Sequence, residues 1–174
     1  MERVKNTVLF SMTRTPEREN LFRWVGPIFK NTTYLIASKK QNIKITSSED
    51  LLNYKFGTIN NDASEMFLFR LGLNIDQFTR HNNTLSNLLM LDRGRVDFIV
   101  SGWEAFISDA NLAGLNPDDF EKVYTVDSSD VSFAFHLDNP DWIIQRFQKA
   151  FDDIKGEGLY GRILEKYKAY ERDE

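Results

Sequence analysis

The stretch from Thr7 to Phe29, TVLFSMTRTPERENLFRWVGPIF, constrains the fold more than any other part of the chain. Its first residues, Thr7 to Ser11, are rich in β-branched and aromatic side chains, which predicts a strand. Three arginines stand in the polar turn and the aromatic run that follow: Arg14, Arg18 and Arg23. A guanidinium offers a planar fork of donors that fits a carboxylate. The stretch therefore indicates either an anion site after a strand or, as in most charged clusters, surface arginines that pair with Glu17 and Glu19.

Composition excludes several classes of function. The chain has 174 residues, of which 41% are hydrophobic, enough to bury the core of one domain or of two small lobes. Its net charge is −4 and no basic tract stands out, so nucleic acid is not an expected partner. No apolar run reaches the length of a membrane span. The chain has no cysteine, and its two histidines, His81 and His136, are far apart, so we expect no disulfide, no metal site and no cofactor.

Beyond this first stretch, the sequence alternates between strand-like and helix-like patterns. We predict strands at 30–40, 55–59, 74–83, 94–100, 120–126 and 131–137. We predict helices at 46–54, 84–91, 103–113 and 159–170, and a further helix that ends at 71. One more helix should begin at Pro140, with Asn139 as its cap, and end at the glycines of 156–158.

Several short motifs resemble those of a known family. The segments TRTPER, at 13–18, and WVGPI, at 24–28, are similar to the TxTxxR…FSxPY pattern of the bacterial extracellular solute-binding proteins of family 3. These are the amino-acid-type substrate-binding proteins of ABC importers, with the periplasmic-binding-protein-like II fold. Residues 50–59 resemble the family's DLkgkkvgv segment, and residues 94–100 resemble its GrvDavi strand. Ile28 departs from the pattern, because it replaces the usual tyrosine.

The resemblance implies an α/β fold with two lobes. Residues 1–32 and 126–174 would form lobe 1, and residues 33–125 would form a complete lobe 2. The sequence opens almost directly on the family's third strand, so we expect a first lobe that lacks its N-terminal strands and helix. Such a lobe would expose an apolar face and an open sheet edge. We therefore expect a homodimer or an exchange of elements between two copies.

The resemblance also implies which residues hold the ligand. Arg18 falls where the family's arginine grips the carboxylate of an amino acid, Thr13 falls where a small hydroxyl residue assists it, and Ser11 belongs to the same set. Lobe 2 would contribute the turn after the strand at 55–59 and the residues that follow the strand at 94–100: Asn61, Asp62, Ala63, Gly102 and Trp103. Asp62 is explained equally well as a helix N-cap. Trp103 could stack on an apolar part of the ligand, or it could simply pack at the start of a helix.

Gly102 is a clear departure from the family. In amino-acid binders an aspartate at this position pairs with the ammonium group of the ligand. Either Glu104 or Asp62 supplies the missing charge here, or the ligand is not a simple amino acid.

The function implied by the resemblance is binding of a small carboxylate-bearing solute between the two lobes. An ABC permease would then recognise the closed form. The expected location is the periplasm, by resemblance only, because residues 1–5 do not read as a signal peptide. One alternative is a ligand-sensing module of a signalling protein. Another is an enzyme similar to cyclohexadienyl dehydratases, with Glu104 or Glu65 as its acid, although no paired carboxylates support catalysis and no catalytic residue is expected.

Overall fold

The structure, a computed structural model, describes residues 5–60 and 62–170. The chain divides into two compact units. Unit 1 comprises Met1–Lys30 and Asp130–Glu174, and unit 2 is the continuous segment Asn31–Ser129.

Six strands form a sheet in the order β1-β6-β2-β5-β3-β4. Their bounds are Val8–Thr13 for β1, Arg23–Ser38 for β2, Phe56–Ile59 for β3, Phe78–His81 for β4, Phe98–Gly102 for β5 and Phe120–Phe135 for β6. The α-helices are α1 (Ala63–Arg70), α2 (Thr84–Asp92), α3 (Trp103–Leu112), α4 (Asp141–Gly156) and α5 (Leu159–Tyr170). Within the described part of the chain, no helix has both the length and the apolar character needed to cross a membrane.

Unit 2 is built on three short parallel strands with helices between them. β3 pairs in parallel with β4 and with β5, and β5 pairs antiparallel with β2, where Thr33 lies opposite Gly102. Both faces of this sheet are covered, as expected of parallel strands that read as buried runs. One buried cluster includes Ile36, Leu88, Ile99 and Phe106, and the other includes Leu35, Phe56, Leu68 and Phe98. The carboxyl ends of β3 and β5 lead into the N-termini of α1 and α3, the edge where α/β sheets commonly bind ligands.

Unit 1 contains β1, the C-terminal part of β6 from Asp130 onwards and the two C-terminal helices. β1 pairs antiparallel with β6, beginning with Val8 opposite Phe135. The register shifts between Leu9 and Met12, which marks a β-bulge in β1. Phe147 of α4 packs its ring on Phe135 in an edge-on geometry, with centroids 5.1 Å apart. Unit 1 therefore has an aromatic core beside a strand whose hydrogen-bond ladder is interrupted.

The strands that were predicted at 120–126 and 131–137 are one continuous strand, β6. Aspartate and serine at 127–130 predict a loop, but the backbone stays extended because its polar groups have partners. Ser128 Oγ lies 3.2 Å from Thr32 Oγ1, and the Arg14 N–H donates to Asp130 O at 2.9 Å. A polar run in a strand is stable where hydrogen bonds are available to it.

Other predicted boundaries shift for local reasons. The aromatic and proline run belongs to β2, which begins at Arg23 instead of residue 30. The strand predicted at 94–100 begins only at Phe98, since Gly94 turns the chain with a left-handed φ of +64°. The cap of α4 is Pro140, whereas Asn139 is buried and its amide donates to His136 O at 2.9 Å.

Two predicted segments contain 3-10 helices. The short helix predicted at 46–54 is the 3-10 helix Ser48–Asn53, capped by Ser47. The strand predicted at 74–83 starts instead as the 3-10 helix Ile75–Gln77, and β4 follows it.

Candidate functional site

The unit 1 residues of the predicted site lie on β1 and on the 3-10 helix Pro16–Leu21 that follows it. Ser11 has φ +62° inside the bulge of β1, a left-handed conformation that is uncommon for a residue with a side chain. Such backbone often occurs where a chain presents a functional group. Ser11 is exposed and Thr13 is half-buried, so the side chains of both remain accessible.

Two of the three arginines are committed to partners inside unit 1. Arg14 donates to both carboxylate oxygens of Glu19, with Nε 2.7 Å from Oε2, and its guanidinium lies 5.6 Å from the Trp24 ring centroid. This hydrogen bonding raises the pKa of Arg14 and lowers the pKa of Glu19. Arg23 donates to Asn139 O at 2.7 Å and forms an ion pair with Asp141.

Arg18 differs from the other two arginines. Its Nη1 donates only a long hydrogen bond of 3.5 Å to Thr13 O. Among residues 5–60 and 62–170, no carboxylate lies within ion-pair distance of its guanidinium. Arg18 is half-buried, so its charge is partly withdrawn from water, and the described residues provide no counter-ion for it. A guanidinium in this state can take up a carboxylate without first breaking an internal ion pair.

Thr15 is a residue of unit 1 that the predicted site did not include. It is 1% exposed, and its hydroxyl has no hydrogen-bond partner in the described structure. Ser132, also 1% exposed, carries a second such hydroxyl and lies opposite Met12 in the β1–β6 ladder. Thr15 is the second threonine of the TRTPER segment, so the motif contained the signal, whereas nothing in the sequence points to Ser132.

In unit 2, Asp62 is occupied as the N-cap of α1. Its carboxylate accepts from Ser64 N at 3.2 Å and from Ser64 Oγ at 2.8 Å, which matches the helix-cap interpretation. Ala63 is buried as the first residue of the helix. Asn61, the third predicted member of this turn, lies outside the described residues.

Gly102 and Trp103 lie where β5 ends and α3 begins. Gly102 is the N-cap of α3 and provides no side chain to cap it. Trp103 stacks on Phe106, with centroids 5.3 Å apart and planes 20° apart. Lys122 Nζ lies 5.0 Å from the Trp103 ring centroid. These contacts give Trp103 a packing role within unit 2, next to the buried cluster that contains Phe106.

A buried polar group in unit 2 connects α1 to β3 and β4. Glu65 is 4% exposed and accepts two hydrogen bonds from Arg80, at 2.7 Å and 2.9 Å. Thr58 Oγ1 donates to Glu65 Oε1 at 3.0 Å. The hydrogen bond to Glu65 raises the pKa of Arg80. From the sequence, Glu65 could be named only as a possible general acid. Its pairing with Arg80 could not be predicted, because Arg80 lies on a different element, β4.

No group of three or more potential metal-ligating side chains exists in the described parts of the chain.

Comparison with known proteins identifies the architecture. No family model matches the chain, and no curated protein matches it either. Several hundred solved chains match it in structure. An ancestral arginine-binding protein bound to arginine has 25% sequence identity and a TM-score of 0.72, with 89% of this chain and 68% of that chain covered. The chain has the periplasmic-binding-protein-like fold.

Two further structures support this assignment. A histidine kinase sensor domain with similarity to periplasmic binding proteins has a TM-score of 0.79 at 15% identity, covering 91% of this chain and 68% of that one. The amino acid ABC transporter substrate-binding protein AbpA from Streptococcus pneumoniae, bound to L-arginine, has a TM-score of 0.71 at 17% identity, with coverages of 90% and 65%. The chain spans about two thirds of the length of these proteins. The resemblance to family 3 solute-binding proteins is thus confirmed as a likeness in fold.

In this periplasmic-binding-protein-like chain, the described members of the predicted site fall into two groups. Ser11, Thr13 and Arg18 are close in sequence and lie within unit 1, where the Arg18 side chain reaches back to Thr13. The members in unit 2 occupy the N-termini of two helices, α1 and α3.

Proposed function

We propose that this chain binds a small carboxylate-bearing solute, with Arg18 as the main anchor of the carboxylate. The observation that supports the proposal is the state of Arg18, half-buried and without a carboxylate partner in the described structure, while Arg14 and Arg23 are paired. A bidentate pair with an arginine is one of the strong, charge-assisted hydrogen-bonded arrangements that a small carboxylate can form with a protein. The backbone carbonyl of Thr13 accepts a hydrogen bond from Arg18, and Ser11 lies two residues before Thr13 on β1, so we assign both residues to the same site.

We propose solute delivery as the role of this binding. An ABC permease would be the partner and the periplasm would be the location. Support comes from the likeness in fold to an ABC transporter substrate-binding protein. A carboxylate solute that is released to a permease needs a reversible ion pair, which Arg18 can provide.

A sensory role is the second candidate, since the fold also matches that of a histidine kinase sensor domain. The binding chemistry would be the same and only the output would differ. Co-purification of the full-length protein with a permease would favour delivery. A ligand-dependent change in the activity of an attached kinase would favour sensing.

The contacts of Glu65 do not favour the alternative of a dehydratase-like enzyme in which Glu65 is the acid. Both oxygens of Glu65 accept hydrogen bonds from Arg80, and one of them also accepts from Thr58. A general acid must instead carry a proton towards its substrate. We therefore propose binding without turnover, and consumption of prephenate or arogenate by the protein would contradict this.

The decisive experiment compares two arginine variants by calorimetry and thermal shift, with a panel of amino acids, hydroxy acids, small peptides and organic acids as ligands. Arg18→Ala should weaken carboxylate binding about a hundredfold or more, because it removes a charge-assisted pair. Arg14→Ala is the matched control, and it should leave affinity within about threefold, because Arg14 already pairs with Glu19 on the exposed surface. Equal losses in both variants would show that Arg18 is not the anchor.

A further inference from the structure

Helix α4 has an open apolar groove on the surface of unit 1. The groove has a volume of about 250 Å³ and is lined by Trp142, Ile143, Arg146, Phe147 and Ala150. Trp142 is 61% exposed and Phe147 is 40% exposed. Since an aromatic side chain has roughly 150–250 Å² of surface, these two residues together leave about 200 Å² in contact with water. Apolar surface that is concentrated in one patch is a feature of interaction sites.

The groove is part of a longer apolar stripe along α4. The four members of the stripe are spaced by four, three and four residues, which places them on one face of the helix: Ile143, Phe147, Ala150 and Ile154. A neighbouring face of α4 packs within unit 1, where Phe151 is buried and its ring lies edge-on to Phe133, with centroids 5.9 Å apart. The helix therefore has two apolar faces, and the stripe is the one that remains largely exposed.

Two opposite charges flank the stripe on one side. Arg146 and Asp153 are seven residues apart, which is close to two helical turns, so both project from the same edge of the stripe. Within the part of the chain that the structure describes, Arg146 has neither a hydrogen bond nor an ion pair. Asp153 accepts from Lys149 Nζ at 2.6 Å, and a carboxylate has room to accept from a second cation.

We propose that this stripe binds the same stripe of a second copy of the chain, as an antiparallel pair of α4 helices. The stripe is symmetric about the midpoint of α4, so a two-fold axis there makes it self-complementary. Phe147 of each copy then lies opposite the small residue Ala150 of the other, and Ile143 lies opposite Ile154. A large side chain against a small one is the arrangement that lets two helices interdigitate.

The charges identify the occupant as a second copy. In the antiparallel arrangement, Arg146 of each copy lies beside Asp153 of the other, which gives two equivalent ion pairs at the edge of the apolar contact. A pair of single helices buries less than the standard interface of about 1,600 Å². We therefore expect a reversible dimer with a dissociation constant in the micromolar range or weaker. This association does not use Arg18, so it is independent of the proposed binding of a carboxylate.

The experiment measures the mass of the 174-residue chain by sedimentation over a series of protein concentrations. The unmodified chain should shift from monomer to dimer as its concentration rises. Ala150→Glu places an unpaired carboxylate in the apolar contact and should weaken the dimer at least about a hundredfold. Gln145→Glu is the matched control, because it adds the same charge to an exposed position on the other side of α4, and it should leave the dissociation constant unchanged.

A charge exchange tests the orientation of the two helices and changes only exposed side chains. Arg146→Glu alone and Asp153→Lys alone should each weaken the dimer at least about tenfold, because like charges then face each other. The variant with both changes should recover the affinity of the unmodified chain, since opposite charges meet again. This test also decides the matter if circular dichroism shows that Ala150→Glu does not fold.

Three results would overturn the inference. The first is a chain that stays monomeric up to its solubility limit. The second is a dimer that persists in Ala150→Glu, which would place the contact elsewhere, for example at the open edge of β1. The third is a variant with both charge changes that dimerises no better than either single variant. None of these results bears on whether Arg18 binds a carboxylate.

Discussion

At the scale of single residues, side chains of one type take different roles according to their partners. Arg14, Arg18 and Arg23 belong to one short stretch, and the sequence alone gives each of them the chemistry of an anion site. The structure pairs Arg14 with Glu19 and Arg23 with Asp141. Arg18 remains without such a partner among the described residues, and its distinction is therefore a property of its neighbours.

Glu65 is the residue whose loss should affect stability most among the acidic side chains discussed. Glu65→Ala would leave the buried hydroxyl of Thr58 without its acceptor, which costs about 1–3 kcal/mol of unfolding free energy. Chemical denaturation of the whole chain, followed by its tryptophan fluorescence, would measure the change. Glu104→Ala, an exposed control, should stay within about 0.5 kcal/mol. A Glu65 variant as stable as this control would show that the cluster is not a stabilising feature.

The candidate site could be predicted only where the chemistry is local. The TRTPER segment contains Thr13 and Arg18 within six residues, so one motif was enough to find them. Ser132 could not be found in this way, because its place opposite Met12 depends on the register of two strands that are distant in sequence. The contact between Arg80 and Glu65 could not be predicted from the sequence for the same reason. Pairings across a sheet form through tertiary structure, and no local pattern of residues encodes them.

At the scale of elements, the strands and helices were largely predictable, whereas their ends were not. The alternation of apolar runs and capping residues in unit 2 correctly predicted α1, α2 and α3. The predicted break at 127–130 was wrong. A run of polar residues usually interrupts a strand, but here hydrogen bonds to neighbouring segments keep these residues in β6. Ends depend on single hydrogen bonds, while the existence of an element depends on a whole pattern of residues.

The stability of the N-terminal end of the 3-10 helix Ser48–Asn53 should depend on pH. Backbone and side-chain hydrogen bonds from Thr46, together with the N–H of Ser47, lower the pKa of Asp50 below its ordinary value of 3.8. The folded form therefore gains stability from Asp50 above that value, and loses it as the pH falls through the lowered pKa. NMR titration of the Asp50 carboxyl should give a midpoint below 3.8.

The matching variant for this element is Asp50→Asn. It should reduce stability at neutral pH, and the difference from the unmodified protein should shrink as the pH falls through the lowered pKa of Asp50, where the carboxylate of the folded form becomes protonated. A difference that is constant over this range would mean that ionisation of Asp50 does not support the cap.

At the scale of the whole molecule, most of the large, fully buried side chains lie in unit 2. Phe56 of β3 and Phe98 of β5 are fully buried, and their strands have neighbours on both sides. β1 of unit 1 is a bulged strand at the edge of the sheet, and the side chain of Phe10 is 66% exposed. The backbone amides of β3 and β5 should therefore be better protected against hydrogen exchange than those of β1.

Amide hydrogen exchange on the intact chain would test this difference. The amides of β3 and β5 should exchange most slowly, because their hydrogen bonds open only when the core of unit 2 opens. The amides of β1 should exchange at least about a hundredfold faster, since an edge strand opens locally. Equal protection of β1 and β5 would show that the chain opens as a single cooperative unit.

The division of the chain has a consequence for the order of folding during synthesis. Unit 2 is one continuous segment, Asn31–Ser129, whereas unit 1 needs residues from both sides of that segment. On a ribosome, the strand partner of β1 is made only after all of unit 2 has been translated, and closing so long a loop is entropically costly. Unit 2 can therefore acquire its contacts while synthesis continues, whereas the backbone of β1 must wait without its antiparallel partner until β6 is complete.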